Sequence, residues 1–157
     1  MKKEKRSRIW FNFFLILAFT LNFCGCGGLP ENSKIEITIN PNPVPYFIEM
    51  QGWFYDIVLN ESNGVGVTLS TVTLDEYNED EQLTNTSVWG EDKIINKFGS
   101  KYLSAFSSLQ GRIGYLIGPE ESFAKYMIIT VEGIDDNSNT IESMIRVDFF
   151  SIISFAT

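Results

Sequence analysis

The chain of 157 residues has no histidine and two cysteines, and these shortages exclude much of the common enzyme chemistry. Without histidine there is no imidazole base for a serine or cysteine triad and no imidazole ligand for an ordinary zinc site. The cysteines, Cys24 and Cys26, both lie near the start, which leaves the rest of the chain without thiols for a disulfide or a nucleophile. The phosphate-cradling pattern GxxxxGK[ST] and the nucleophile-elbow pattern GxSxG are also missing. Positive charge is scarce: twelve Lys and Arg stand against twenty Asp and Glu, for a net charge of −8. Five of those twelve (Lys2, Lys3, Lys5, Arg6 and Arg8) fall in the opening segment. The remainder is acidic enough to repel a phosphate backbone, so nucleic acid is excluded as a partner.

The opening segment has a distinct character. Basic residues through Arg8 precede a largely apolar run from Ile9 to Phe23, interrupted by Asn12, Thr20 and Asn22. This is the pattern of a secretory signal. The run is shorter than the roughly 18 apolar residues a spanning helix needs.

Phe23-Cys24-Gly25-Cys26-Gly27-Gly28 follows, and this stretch resembles the lipobox of bacterial lipoproteins. Cys26 matches the lipidated position, since the small Gly25 precedes it, whereas Cys24 follows bulky Phe23. Phe23 departs from the leucine the family prefers. The resemblance implies cleavage before Cys26 and multiple acylation (palmitate-type) of Cys26, which would anchor the protein to the lipid bilayer. One acyl chain holds a protein only marginally, at about 0.8 kcal/mol per buried CH₂, so stable attachment requires at least two. Gly27, rather than Asp, after the lipidated residue implies the outer membrane in double-membrane bacteria. The expected location is therefore the cell envelope, facing the periplasm or the cell surface. A plain secretory signal with incidental cysteines and an uncleaved anchor are the competing readings.

The expected division is a signal peptide over 1–25, a tether over 26–33 and one domain over 34–157. Removal of the signal leaves 132 residues, enough for a single core. It takes five basic residues and one acidic residue with it, which deepens the charge to −12.

Within the domain the apolar pattern has the period of strands. Ile35, Ile37 and Ile39 alternate with polar residues until the prolines at 41, 43 and 45 stop the run. Gly52 to Asn60 is apolar at almost every position, as a central strand would be. Asn63-Gly64 predicts a hairpin into Val65 to Leu74. That second run changes parity, from Val65, Val67 and Leu69 to Val72 and Leu74, which predicts a bulge near Ser70-Thr71 or a strand that crosses between sheets. Asp75 to about Gly90 reads as a polar, acidic connection. Over 91–122 the pattern is mixed: Ile94, Ile95, Phe98, Tyr102, Leu103 and Phe106 suit a helix, short strands are equally possible, and a short strand is expected from Ile113 to Ile117. Phe123 to Glu132 and Ile141 to Ser151 form the expected closing hairpin.

The expected fold is all-β, an antiparallel two-sheet sandwich of about seven strands. Tyr126 to Gly133, then Asp135-Asp136-Asn137 and a final alternating strand, resemble the last two strands of immunoglobulin-like and fibronectin-type-III-like bacterial domains. The resemblance implies a tyrosine-corner role for Tyr126 and a core position for Trp53.

Candidate chemistry rests on oxygens and aromatics. Asp75, Glu76, Glu79, Asp80 and Glu81 form an acidic cluster that reads as a solvated loop. Asp135, Asp136 and Asn137 place oxygens as a calcium loop does, although the same residues are good turn formers. Otherwise no cofactor and no catalytic residue is expected. Trp89, Tyr102 and Tyr115 offer a stacking platform for sugars or a protein patch, with core packing as the competing role. Two functions remain open. One is a membrane-anchored lipoprotein whose sandwich is a non-catalytic binding or structural module for a protein partner. The other is a carbohydrate-binding or small glycan-active module that uses exposed aromatics and acidic loops.

Overall fold

The computed structural model describes residues 31–116 and 124–150. The signal peptide, Cys26 and most of the tether lie outside the described residues.

Among the described residues the chain forms nine strands and one α-helix: β1 (Ile35–Asn40), β2 (Tyr46–Phe47), β3 (Gly52–Glu61), β4 (Val67–Tyr77), β5 (Leu83–Trp89), α1 (Glu91–Phe98), β6 (Tyr102–Leu103), β7 (Ser108–Leu116), β8 (Tyr126–Asp135) and β9 (Thr140–Asp148). They make an antiparallel two-sheet sandwich, as expected. In the first sheet β3 is central, with β7 on one edge and β1 and β2 sharing the other. In the second, the order is β5-β4-β8-β9, with β6 pairing β4 at Val67 and Thr68. The grouping of β4, β8 and β9 is that of strands C, F and G in immunoglobulin-like domains. The seven longer strands match the expected number; β2 and β6 add two residues each.

Alternation places the core. From β3, Trp53, Tyr55, Ile57 and Leu59 turn inward and are fully buried, against Val67, Leu69, Val72 and Leu74 of β4 and Met127, Ile129 and Val131 of β8. The expected bulge is present: β4 loses register against β8 between Leu69 and Thr71. The extra residue lets the inward set pass from odd to even positions without breaking the ladder. Gly133 sits opposite Leu69 there, and a Cβ on it would lie 2.6 Å from the Thr68 carbonyl oxygen, so the bulge requires glycine.

Trp53 is in the core, as the resemblance implied. Tyr126 opens β8 and is held by its ring, which stacks on Tyr77 at 4.8 Å and 9° and carries the Arg146 guanidinium 3.8 Å from its centroid. Among the described residues no backbone group bonds its hydroxyl, so ring stacking holds this corner.

Three expectations are corrected. The segment expected as an acidic connection contains β5; Leu83–Trp89 pairs Val72–Tyr77 of β4 as an edge strand. It lacks a two-sided pattern because nearly all its residues are exposed. Asn63-Gly64 does not turn a hairpin, since β3 and β4 belong to different sheets. Gly64 supplies the positive φ of +87° for a crossover instead. The short strand expected from Ile113 is the second half of the nine-residue β7.

The mixed segment contains both of the expected alternatives: Ile94, Ile95 and Phe98 lie in α1, whereas Tyr102 and Leu103 form the short strand β6. Ile94 and Phe98, four apart, are the buried side chains of α1, and Gly99 ends the helix at φ +78°. The helix bridges the sandwich laterally between β4, β5 and β7. It can approach because Gly111 of β7 has no side chain: a Cβ there would stand 3.0 Å from the Lys97 carbonyl oxygen and 3.1 Å from the Phe98 ring.

Candidate functional site

Two polar features are built into the sandwich: a clasp at the pole where the chain enters it, and a recess on the flank under α1.

The clasp is made by Glu61, at the end of β3, and Asp135, at the end of β8. Glu61 is 1% exposed. Its carboxylate accepts from the backbone N–H groups of Asn63 (2.9 Å), Gly64 (2.8 Å), Phe106 (2.9 Å) and Lys34 (3.4 Å) and from the Ser33 hydroxyl (3.2 Å). Burial opposes ionisation, but the N–H groups of Phe106, Asn63, Gly64 and Lys34 outweigh it and hold the carboxyl at about 2. Asp135 accepts from the N–H groups of Ser33 (3.0 Å), Asn137 (3.0 Å) and Asn139 (2.8 Å) and from the Asn139 carboxamide. Burial again opposes, and the Asn139, Ser33 and Asn137 donors depress its pKa. Ser33 joins the two acids, donating its N–H to Asp135 and its hydroxyl to Glu61. Both carboxylates thus serve as backbone caps for the loops of this pole.

This geometry bears on the candidate calcium loop. Asp135 points into the clasp, Asp136 accepts from the Tyr102 hydroxyl at 3.0 Å, and the Asn137 carboxamide donates to the Glu31 carbonyl at 3.1 Å. Among the described residues no three acidic side chains converge. A titration to millimolar Ca²⁺ should therefore leave the melting midpoint unchanged; a concentration-dependent rise would show that the loop opens to bind the ion.

The recess lies between the sheets in the half of the sandwich away from Ser33. It has a volume of about 180 Å³, and its lining includes Glu76, Trp89, Lys93, Lys97, Tyr115 and Met127. Glu76 is 5% exposed. One carboxylate oxygen accepts from the Asn85 carboxamide at 3.0 Å and the other from the Tyr115 hydroxyl at 2.7 Å. Burial, and then the charge on Glu76, push the nearby Tyr55 phenol well above its ordinary value. The Lys93 and Lys97 ammonium groups stand 4.9 and 6.0 Å from the centre of the Trp89 ring. One helical turn separates the two lysines, which puts both on the face of α1 turned to this ring.

Of the acidic cluster expected in a loop, Asp75 and Glu76 are strand residues of β4. Glu76 was legible as an inward residue, because it follows Val72 and Leu74 at strand period. The aromatics do not form one exposed platform. Trp89 is buried at 4%, and Tyr115 stacks on Trp53 at 5.6 Å in the interior. Tyr102, 43% exposed, bonds Asp136 near the clasp. Trp89 and Tyr115 do meet, as walls of the recess.

No family model matches the chain, and no curated protein does. Among solved structures, one described as the ApaA protein from Bordetella pertussis has 10% identity and a TM-score of 0.48, over 74% of this chain and 94% of its own. The alkylpurine DNA glycosylase AlkC from Pseudomonas fluorescens, bound to DNA with an abasic site analogue, has 10% identity and a TM-score of 0.41 over 83% of this chain. The match spans a third of the glycosylase, 33% of its length. A CARDB domain from Pyrococcus furiosus, in complex with di-metal ions, has 12% identity and a TM-score of 0.39, over 82% of this chain and 98% of its own. Likeness this slight carries no inference about activity.

Proposed function

We propose that this protein is an extracytoplasmic lipoprotein, held to the bilayer through acylated Cys26, whose sandwich is a non-catalytic binding module. The observation that carries this reading is the Gly25-Cys26 pair directly after the basic and apolar opening segment; the clasp at Ser33 adds an orientation. The chain enters the fold seven positions beyond Cys26, and seven residues span at most about 25 Å. With Ser33 fixed between Glu61 and Asp135, an acyl anchor on Cys26 would hold this pole toward the membrane and turn the half that carries the recess away from it. A non-catalytic role accords with the acids. Glu61 and Asp135 cap backbone, and the recess lining contains one carboxylate, whereas glycosidic acid–base work needs two facing each other at about 5 to 9 Å.

The test is detergent-phase partition together with incorporation of labelled palmitate. The wild type and Cys24→Ala should enter the detergent phase and carry label. Cys26→Ala should remain aqueous and unlabelled; retention of both properties by Cys26→Ala would refute the anchor.

The glycan-binding alternative loses the platform on which it was based, because Trp89 and Tyr115 face the interior and Tyr102 lies apart.

A further inference from the structure

The lining of the recess carries both signs of charge without pairing them. Among the described residues Glu76 has no cation within ion-pair distance, and neither Lys93 nor Lys97 has an acidic partner. Lys97 donates to the Arg112 carbonyl at 3.3 Å. A carboxylate has about four acceptor positions, and neutral donors occupy one on each oxygen of Glu76. A carboxylate retained in a sandwich interior is costly unless it is further bonded or paired. Glu76 lines the recess, so a mobile donor that enters it can reach the carboxylate.

Charge selects among occupants. A purely anionic ligand would face the Glu76 carboxylate, and a purely cationic one the two ammonium groups that stand over Trp89. A metal ion would find one carboxylate where hard cations take six or more oxygens. A molecule that carries both charges meets both requirements. We propose that the recess binds a small zwitterion of the α-amino acid class, its ammonium on Glu76 and its carboxylate between Lys93 and Lys97. Size agrees: about 180 Å³ is comparable to a cavity of about 150 Å³ that holds benzene, which leaves room for a small amino acid. Trp89 closes one side with an apolar wall and holds the lysines in place by cation–π attraction. This inference deepens the reading of the sandwich as a binding module and rests on it. It is independent of the anchor, so failure here and failure of the Cys26→Ala partition test are separate results.

The experiment is thermal melting of the full chain in detergent at fixed ionic strength, with glycine, L-alanine, L-serine and L-threonine as probes and acetate and ethylammonium as single-charge controls. At about ten times the dissociation constant, a binding amino acid should raise the midpoint by roughly 3 °C. Neither control should do so. Glu76→Gln should abolish the shift. Lys93→Ala/Lys97→Ala, which removes one exposed and one half-buried side chain and no core residue, should abolish it in a protein that melts cooperatively, and it decides the matter if Glu76→Gln fails to fold. The inference is overturned if no amino acid shifts the midpoint, if acetate or ethylammonium alone shifts it equally, or if the shift survives in the double lysine variant.

Discussion

Glu61→Ala should destabilise the protein by about 2 to 4 kcal/mol in urea unfolding, although it deletes no apolar packing. The loss follows from the donors it leaves behind. Four backbone N–H groups and one hydroxyl converge on this carboxylate. A hydrogen bond to a charged group contributes about 1.5 to 3 kcal/mol, and a buried donor without a partner costs about 1 to 3. The bonds act as one network, so their contributions do not sum. Glu61→Gln keeps one acceptor but turns an NH₂ toward N–H donors, and it should lie between the alanine variant and the wild type. The charge adds a pH signature. The folded carboxyl titrates at about 2 against an ordinary value of 4.5, so its stabilising contribution is complete above the ordinary value and is lost as pH falls toward 2. The midpoint of the wild type should fall steeply below about pH 4.5. In Glu61→Gln that acid limb should be shallower, though not flat, because Asp135 is also held below its ordinary value. An unchanged acid limb in Glu61→Gln would remove Glu61 as its source.

Trp53→Ala should cost about 3 to 5 kcal/mol, the range for deleting a buried large aromatic. Trp53 has no exposed surface. Its ring lies 5.2 Å from Tyr46, 5.6 Å from Tyr115 and 5.0 Å from Phe149, so one side chain joins β2, β3, β7 and the segment after β9. Its indole N–H donates to the Phe150 carbonyl at 3.3 Å. A cavity at this place cannot be filled from one side, because its walls come from three strands of the first sheet and from the segment after β9. Trp53→Phe should cost less, about 1 to 2 kcal/mol, by keeping a ring against Tyr115 and losing the indole bond. Total stabilities of about 5 to 15 kcal/mol are usual, so a loss of this size is a large fraction of the whole and should lower the urea midpoint markedly. An unchanged urea slope would show that stability, not compactness of the unfolded chain, had changed.

The fold was legible where one face is buried and the other wet. β1 and β9 follow from alternation, β3 from a run apolar at almost every position and β8 as the first arm of the closing hairpin, and the bulge in β4 followed from the shift of apolar residues between Leu69 and Val72. β5 was hidden because Leu83 to Val88 touch the core on neither face, so edge pairing alone makes it a strand. The Asn63-Gly64 pair predicts a tight turn correctly but does not say which strands it joins; β3 found β1 and β7, while β4 found β8. The sites were read less well for a related reason. Acidic residues close in sequence look solvated, yet strand parity sends Glu76 inward and leaves Asp75 outside, bonded to Thr86. Glu61 gives no local signal, since its donors come from residues 33, 34, 63, 64 and 106.

The clasp also bears on the order in which the molecule can form. Ser33 is bound to Asp135 across 102 positions, and Val44 to the Asp148 carbonyl. β4, the spine of the second sheet, pairs along nearly its whole length with β8. A ribosome delivers the chain from its first residue, and contacts this distant in sequence form late. While β8 and β9 are unmade, the first sheet has only β4, β5 and β6 of the second to close against, so interruption of the chain before Tyr126 yields an unfinished surface rather than a smaller domain. The stretch from Ser33 to Val44, which opens the described domain, is thus among the last to be secured.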